Sequence, residues 1–337
     1  MTSHVIHARN VNDAFSNAVW WLRVAGLRES SRNGDVLVSP GPVITEYSNP
    51  CERILWEHRR DANPTFHLME AIWMLAGQND VTWLLPFNAR FAEYAEAGKM
   101  MHGAYGHRWR EFFGHDQIHA AIKELEANPA SRRVVLGMWH PTADQGTDAK
   151  DIPCNTHIYF DCRGDRLNMT VCCRSNDILW GAYGANVVHM SMLQELIAFG
   201  VGVPVGVYRQ MSNNFHAYTS VPQMADFLAN PPSGAQDEYK MGTVDPTPLL
   251  TGNHESVGNF LLDCETMVGC DPRSPQRAPV SLFYTEFFRK VAAPMFNQYC
   301  ARKYQEVTVD TDDMLERFPP RSDWGLAFYQ WLERRAK

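Results

Sequence analysis

DIPCNTHIYFDCRGDRLNMTVCCRSND, residues 151–177, reads as two strands folded back on a tight turn. Residues 156–163 and 166–173 are the strands, and Gly164-Asp165 between them is the kind of pair that closes a two-residue hairpin. Cys154 follows Pro153 at the head of the first strand, and Arg174-Ser175-Asn176-Asp177 closes the second. Pairing the strands returns Arg174 to the end where Cys154 begins. A guanidinium there favours thiolate over thiol and raises nucleophilicity near neutral pH. A lone cysteine is more often structural; the pairing with arginine is what points to chemistry.

Working outward, Trp180-Gly-Ala-Tyr-Gly-Ala-Asn186 is a bend of small residues leading into a buried helix over 187–199 and a strand over 205–211. Gly181 and Gly184 allow close backbone approach to a planar ligand. Asn186 offers one acceptor and two donors, which suits a pyrimidine edge or a helix N-cap. His216 and Tyr218 share one face at the end of a further strand, a spacing suited to hydroxyl recognition, though alone more often a structural one.

Upstream, a 3.6-residue period predicts a helix over 12–27, followed by a polar loop over 28–35 and a strand over 36–39. Residues 66–76 form a helix apolar nearly all round, hence buried, with Glu70 anomalous in its middle. Helices are expected over 81–97 and 115–127 and a strand over 132–139. Downstream, Pro231-Pro232 and Pro246-Thr-Pro248 mark 228–280 as a loop or insertion region, and final helices begin near Ser281 and Trp324. No repeat or linker divides the chain, so 1–337 is read as one α/β (α+β) domain.

The composition fits a chain that buries a real core: 337 residues, 45% hydrophobic and 20% charged. A net charge of −7 excludes a generally basic nucleic-acid coat, so an anionic substrate needs a local arginine cluster. No apolar run approaches the roughly 18 residues of a membrane span, and no signal peptide is read, so a cytoplasmic enzyme is expected. The eight cysteines lack paired spacing, so neither a disulfide scaffold nor a zinc site is expected.

In order along the chain, Pro153-Cys154, Arg174-Ser175-Asn176-Asp177, Gly181…Asn186 and His216-Ala217-Tyr218 resemble the thymidylate synthase superfamily. Glu70-Ala-Ile-Trp73, Tyr105-Gly-His-Arg-Trp109 and Ser131-Arg132-Arg133 match its upstream segments, and the likeness covers about residues 12–222. It implies a large mixed sheet packed with helices and a homodimer formed through that sheet. Cys154 would add to C6 of a pyrimidine nucleotide, making C5 a nucleophile toward the one-carbon unit of 5,10-methylenetetrahydrofolate. Glu70 would move protons through water, with Tyr105, Arg174 and Asn186 completing the catalytic set. Arg32, Arg174 and Ser175 would hold the 5′-phosphate, with Arg132 and Arg133 reaching it across the dimer. His216 and Tyr218 would meet the sugar hydroxyl, and Asp177, Trp73 and Gly181 the folate.

Family members share an exocyclic methylene on C5, which reduction turns into methyl and water into hydroxymethyl. The synthases exclude water partly with a tryptophan in the segment matching Asn88–Ala92; here Phe91 or Ala92 takes that place, and the usual closing tail is not found. Hydration is therefore expected. One extra residue in the bend leaves Ala185 or Asn186 facing the base; Asn186 suits uracil, favouring dUMP, while dCMP and CMP stay open. Thymidylate synthesis, and an inactive homologue binding nucleotide or RNA, are the remaining alternatives. A cysteine hydrolase pairing Cys154 with His157 or His216 fits poorly with phosphate-suited arginines. Synthesis of modified DNA precursors in a phage, hence in host cytoplasm, is implied by the resemblance alone.

Overall fold

The computed structural model describes residues 3–31, 33–252, 254–305 and 314–336. Its strands are β1 (His4–Ala8), β2 (Leu27–Ser31), β3 (Gly34–Val38), β4 (Val43–Tyr47), β5 (Val135–Gly137), β6 (Asn155–Arg163), β7 (Arg166–Asp177) and β8 (Val205–Tyr218). They make one mixed sheet in the order β1-β4-β8-β7-β6-β5, with the β2–β3 hairpin joined through β3 to the end of β8. β7 and β8 run parallel and β6–β7 antiparallel. The β6–β7 turn is as read: Gly164 and Asp165 both take positive φ (63° and 57°), the backbone twist that a two-residue hairpin demands.

The helices are α1 (Val11–Ala25), α2 (Pro64–Leu75), α3 (Phe91–Tyr94), α4 (Tyr105–Arg110), α5 (Gln117–Ala127), α6 (Pro141–Asp144), α7 (Asn186–Val201), α8 (Pro222–Ala229), α9 (Val257–Val268), α10 (Ala293–Gln305) and α11 (Asp323–Ala336). Register decides which side of the sheet is core. Ile6, Thr45, Gln210, Val171, Ile158 and Leu136 stand in one row across the sheet and all are buried. Their neighbours point the other way, and Val5, Met211, Tyr159 and Val135 are 37–45% exposed. α7 lies on the core face against β7 and β8, α2 packs on α7, and α9, α10 and α11 pack on α2. Both central helices are therefore apolar on nearly every side, and each buried Leu or Ile there contributes about 1.5–3 kcal/mol.

Several expectations are corrected. Residues 28–31 and 34–35 are not loop but strand, paired in the β2–β3 hairpin; every β2 side chain is exposed, so no alternation marks it. The helix expected over 81–97 is a set of turns with only α3 helical, because Pro86 interrupts the run while Val81, Leu84 and Phe87 still turn inward. The 132–139 strand shortens to β5. The 228–280 region, read as loops, contains α9, whose Phe260, Leu261, Cys264 and Met267 are buried. The helix expected from Ser281 starts later: Phe288–Ala292 is a wide π turn that runs into α10.

Candidate active site

The hairpin places the cysteine. β6 and β7 come together so that the Arg174 N–H donates to the Cys154 carbonyl at 2.9 Å. The guanidinium reaches back along the same turn, Nε to Pro153 O at 2.8 Å and Nη2 to Ile152 O at 2.9 Å. Nη2 is then 3.8 Å from Cys154 Sγ, the proximity that the strand pairing predicted. From the other side Tyr105, on α4, accepts the N–H groups of Cys154 (3.1 Å) and Asn155 (3.2 Å). Burial pushes the Tyr105 phenol well above its ordinary value, so it stays neutral and keeps its own hydrogen to donate. α4 can lie this close because Gly106 has no side chain: a Cβ there would stand 1.8 Å from the Met74 carbonyl oxygen of α2.

Beside this corner opens a cavity of about 390 Å³, walled by Glu70 and Trp73 of α2, Tyr105, Gly181, Asn186 and His189. Phe91 lines it too, packed edge-on against Phe66 at 5.5 Å, and Trp180 contributes a second indole from outside the 88–92 segment. A neighbouring cleft of about 580 Å³ shares Arg60, Arg90 and Trp180 with the cavity and includes Tyr218. Ala185 and Asn186 both line the cavity, and only the second is polar.

Asn186 is not a helix N-cap; it belongs to a buried chain of amides. Cys173 Sγ approaches Asn155 Oδ1 at 2.6 Å, Asn155 Nδ2 donates to Asn186 Oδ1 at 3.4 Å, Asn186 Nδ2 to Asn176 Oδ1 at 3.2 Å, and Asn176 Nδ2 to Ser212 Oγ at 3.0 Å. Burial, with Cys154 and Cys172 nearby, pushes the Cys173 thiol well up, so it remains an S–H donor. That end fixes the direction of every amide in the chain. Gly181 is needed for this chain, since a Cβ would meet Asn176 Oδ1 at 2.7 Å. The close approach expected toward a ligand is thus made first to the protein itself.

Asp177 caps the wide turn Ile178–Ala185, accepting from Leu179 N (2.9 Å) and Trp180 N (2.7 Å) through one carboxylate oxygen. Burial raises its pKa, against the pull of those N–H groups, His216 and Arg60. His216 sits across from it in the β7–β8 register, and its ring meets Tyr218 edge-on at 5.2 Å, so the expected shared face is present. Ser175 lies on the same strand end, opposite Asn214. Arg132 and Arg133 are exposed just before β5, with Arg133 paired to Glu124 at 3.1 Å. Arg32 lies outside the described residues.

Sequence reasoning missed Asn155, Asn176, His189, Arg60 and Asp151. Asp151, three residues before Cys154, lines the cavity and accepts the Gly103 N–H at 3.0 Å; burial raises its pKa. Arg60 is tied by Nε to Leu179 O at 2.9 Å, beside the capped turn. Proximity of Asn155 to Cys154 and of Asn176 to Arg174 was the available signal. For His189 no sequence signal linked it to Glu70, more than a hundred residues away.

The thymidylate synthase family model matches residues 58–244. A deoxyuridylate hydroxymethyltransferase of Pseudomonas phage M6 is 43% identical over 340 residues, covering 98% of this chain and 94% of its own. Another of that description, from Bacillus phage SP01, is 34% identical over 263 residues, 68% and 67% of the two chains. The crystal structure of thymidylate synthase from T4 phage superposes with a TM-score of 0.51 at 19% identity, over 65% of this chain and 81% of its own, a likeness of fold. Tyrosine and asparagine line one cavity beside the cysteine–arginine corner of this fold, and the chain belongs to the thymidylate synthase family.

Proposed function

We propose that this protein is a deoxyuridylate hydroxymethylase: it transfers a one-carbon unit from 5,10-methylenetetrahydrofolate to C5 of dUMP and completes the product with water. The observation that carries the reading is the corner where Cys154 is held between Tyr105 and Arg174 at the edge of the cavity containing Asn186. The Cys154 sulfur adds to C6, supported by the neighbouring guanidinium, and C5 becomes the nucleophile. Asn186, with its direction fixed, donates from Nδ2 to uracil O4 and accepts the N3–H on Oδ1. Cytosine offers the opposite pattern at both atoms and meets two mismatches. The 43% identity to a phage protein of this activity supports the hydroxymethyl outcome, and Phe91 in place of an indole in its segment supports access of water.

Ser175, Arg174 and Arg32 are the residues we assign to the phosphate, His216 and Tyr218 to the sugar, and Asp177, Trp73 and Gly181 to the folate side. Dimerisation through the exposed sheet face, around Val5, Met211, Tyr159 and Val135, supplies Arg132 and Arg133 from the partner and covers the apolar side chains left open. No described helix is long and apolar enough to cross a membrane. As a phage-type enzyme it works in host cytoplasm, and 1–337 acts as one catalytic unit.

The test is release of tritium from C5 of dUMP, dCMP and CMP in the presence of methylenetetrahydrofolate, with product masses. Hydroxymethyl-dUMP is the expected product; a methyl product refutes the hydration step. Cys154→Ala is expected to abolish tritium release while retaining dUMP binding by calorimetry.

A further inference from the structure

Glu70 of α2 and His189 of α7 meet at the cavity wall, on two helices made mainly of apolar residues. Glu70 Oε2 and His189 Nε2 are 3.2 Å apart, with the two side chains 12% and 3% exposed. That is ion-pair distance, although off the line of a full hydrogen bond, and among the described residues neither atom has a hydrogen-bond partner. Such groups at a cavity wall are costly unless they have work there. The other basic groups around this space are differently placed. Arg60 is tied to the Leu179 carbonyl. His67, one turn before Glu70 on α2, is pulled down to about 3 by burial and by Arg60 and His189, so it does not hold a proton near neutrality.

We propose that His189 is the positioning residue for hydration: it holds the Glu70 carboxylate in the orientation from which that carboxylate takes a proton from water. This rests on the hydroxymethylase reading and names the group that completes it. In the step, the pyrimidine carries an exocyclic methylene on C5 and the Cys154 sulfur on C6. The water oxygen bonds to the methylene carbon, and one of its protons passes to the Glu70 carboxylate. The methylene–C5 π pair moves into the C5–C4–O4 enolate. That pair then re-forms C5=C6 as the C6–S bond breaks and sulfur leaves as thiolate. Water supplies every added atom, and the only base required is Glu70, with His189 steadying it.

The experiment compares wild type with His189→Leu and His189→Gln on dUMP tritiated at C5, with methylenetetrahydrofolate. It measures tritium released and hydroxymethyl-dUMP formed. Tritium leaves before hydration, and an intermediate that is not hydrated can return its one-carbon unit, so the ratio isolates the last step. Wild type is expected to make one product per tritium released. In His189→Leu the ratio is expected to fall by about tenfold or more, part of the roughly hundredfold to ten-thousandfold that a positioned base supplies. His189→Gln, which keeps a donor facing Glu70, is expected to fall only a few-fold, a graded rescue that a packing role does not give. A ratio unchanged in both variants, or tritium and product falling by one common factor, overturns the proposal while leaving the hydroxymethylase reading standing. Wild-type protein that releases no tritium from dUMP overturns that reading, and the inference with it.

Discussion

Replacing Asn176 with leucine, similar in shape but without the amide, should loosen the choice between uracil and cytosine without touching the base. Cytosine presents a donor where uracil has O4 and an acceptor where uracil has N3–H, so accepting it requires the Asn186 amide to turn over. In the native chain that rotation spoils two junctions at once, Asn155 to Asn186 and Asn186 to Asn176. Each buried polar group left unsatisfied costs about 1–3 kcal/mol, so the rotation costs about 2–6 kcal/mol. At about 1.4 kcal/mol per factor of ten, this gives a preference for dUMP over dCMP from about thirtyfold to about ten-thousandfold. Asn176→Leu removes one junction, and the preference should shrink by between about fivefold and about a hundredfold. The assay is kcat/KM for dUMP and dCMP measured side by side on protein whose folding is checked by circular dichroism. A folded variant with the wild-type ratio refutes the idea that the amide chain sets Asn186.

Three further outcomes are expected. Gly106→Ala forces α4 away from the Met74 carbonyl and should cost about 3 kcal/mol or more in denaturant unfolding, with loss of activity as Tyr105 leaves Cys154. His67 takes up a proton in the unfolded chain below about pH 6.5, whereas in the folded protein it does so only near 3. Its contribution to stability is therefore complete above about pH 6.5 and lost as pH falls through that window, and His67→Gln should flatten the decline seen by chemical denaturation between pH 7 and pH 4. Tyr159→Arg and Met211→Arg, placed on the open sheet face, should convert the proposed dimer to monomer in light scattering and lower activity on dUMP, as expected where the proposed dimer supplies Arg132 and Arg133 in trans.

What could be read from the sequence follows what each segment buries. The β6–β7 hairpin, α2 and α7 carry strong signals because a turn dipeptide or an unbroken apolar stretch admits one structure, and they hold Cys154, Arg174, Glu70 and Asn186. β2 has no buried side chain, and beyond its backbone ladder to β3 only exposed serines reach across, Ser30 to Asp35 at 3.0 Å and Ser31 to the Gly34 carbonyl at 2.7 Å, so its sequence looks like a loop. β1 and β4 are five residues each and gain their place from pairing with β8 and with each other, contacts remote in sequence. α9 has a helical period, but proline-rich flanks disguised it. The site divides in the same way: residues within one hairpin were legible as a group, whereas the Glu70–His189 approach and the Asn155–Asn186–Asn176 chain arise only from how α2, α7 and the sheet pack. Asp177 was read for its chemistry toward a ligand, while its hydrogen bonds in the protein close the wide turn that carries Trp180.

α2 serves two masters. One side presents Glu70 and Trp73 to the cavity, and the rest is the rod on which α9, α10 and α11 lean. A guest that settles against that rod therefore tightens helices far along the chain that it never touches, and their amides should exchange with solvent more slowly when the cavity is filled. Grip on the nucleotide and cohesion of the chain's last third are, in this architecture, a single quantity.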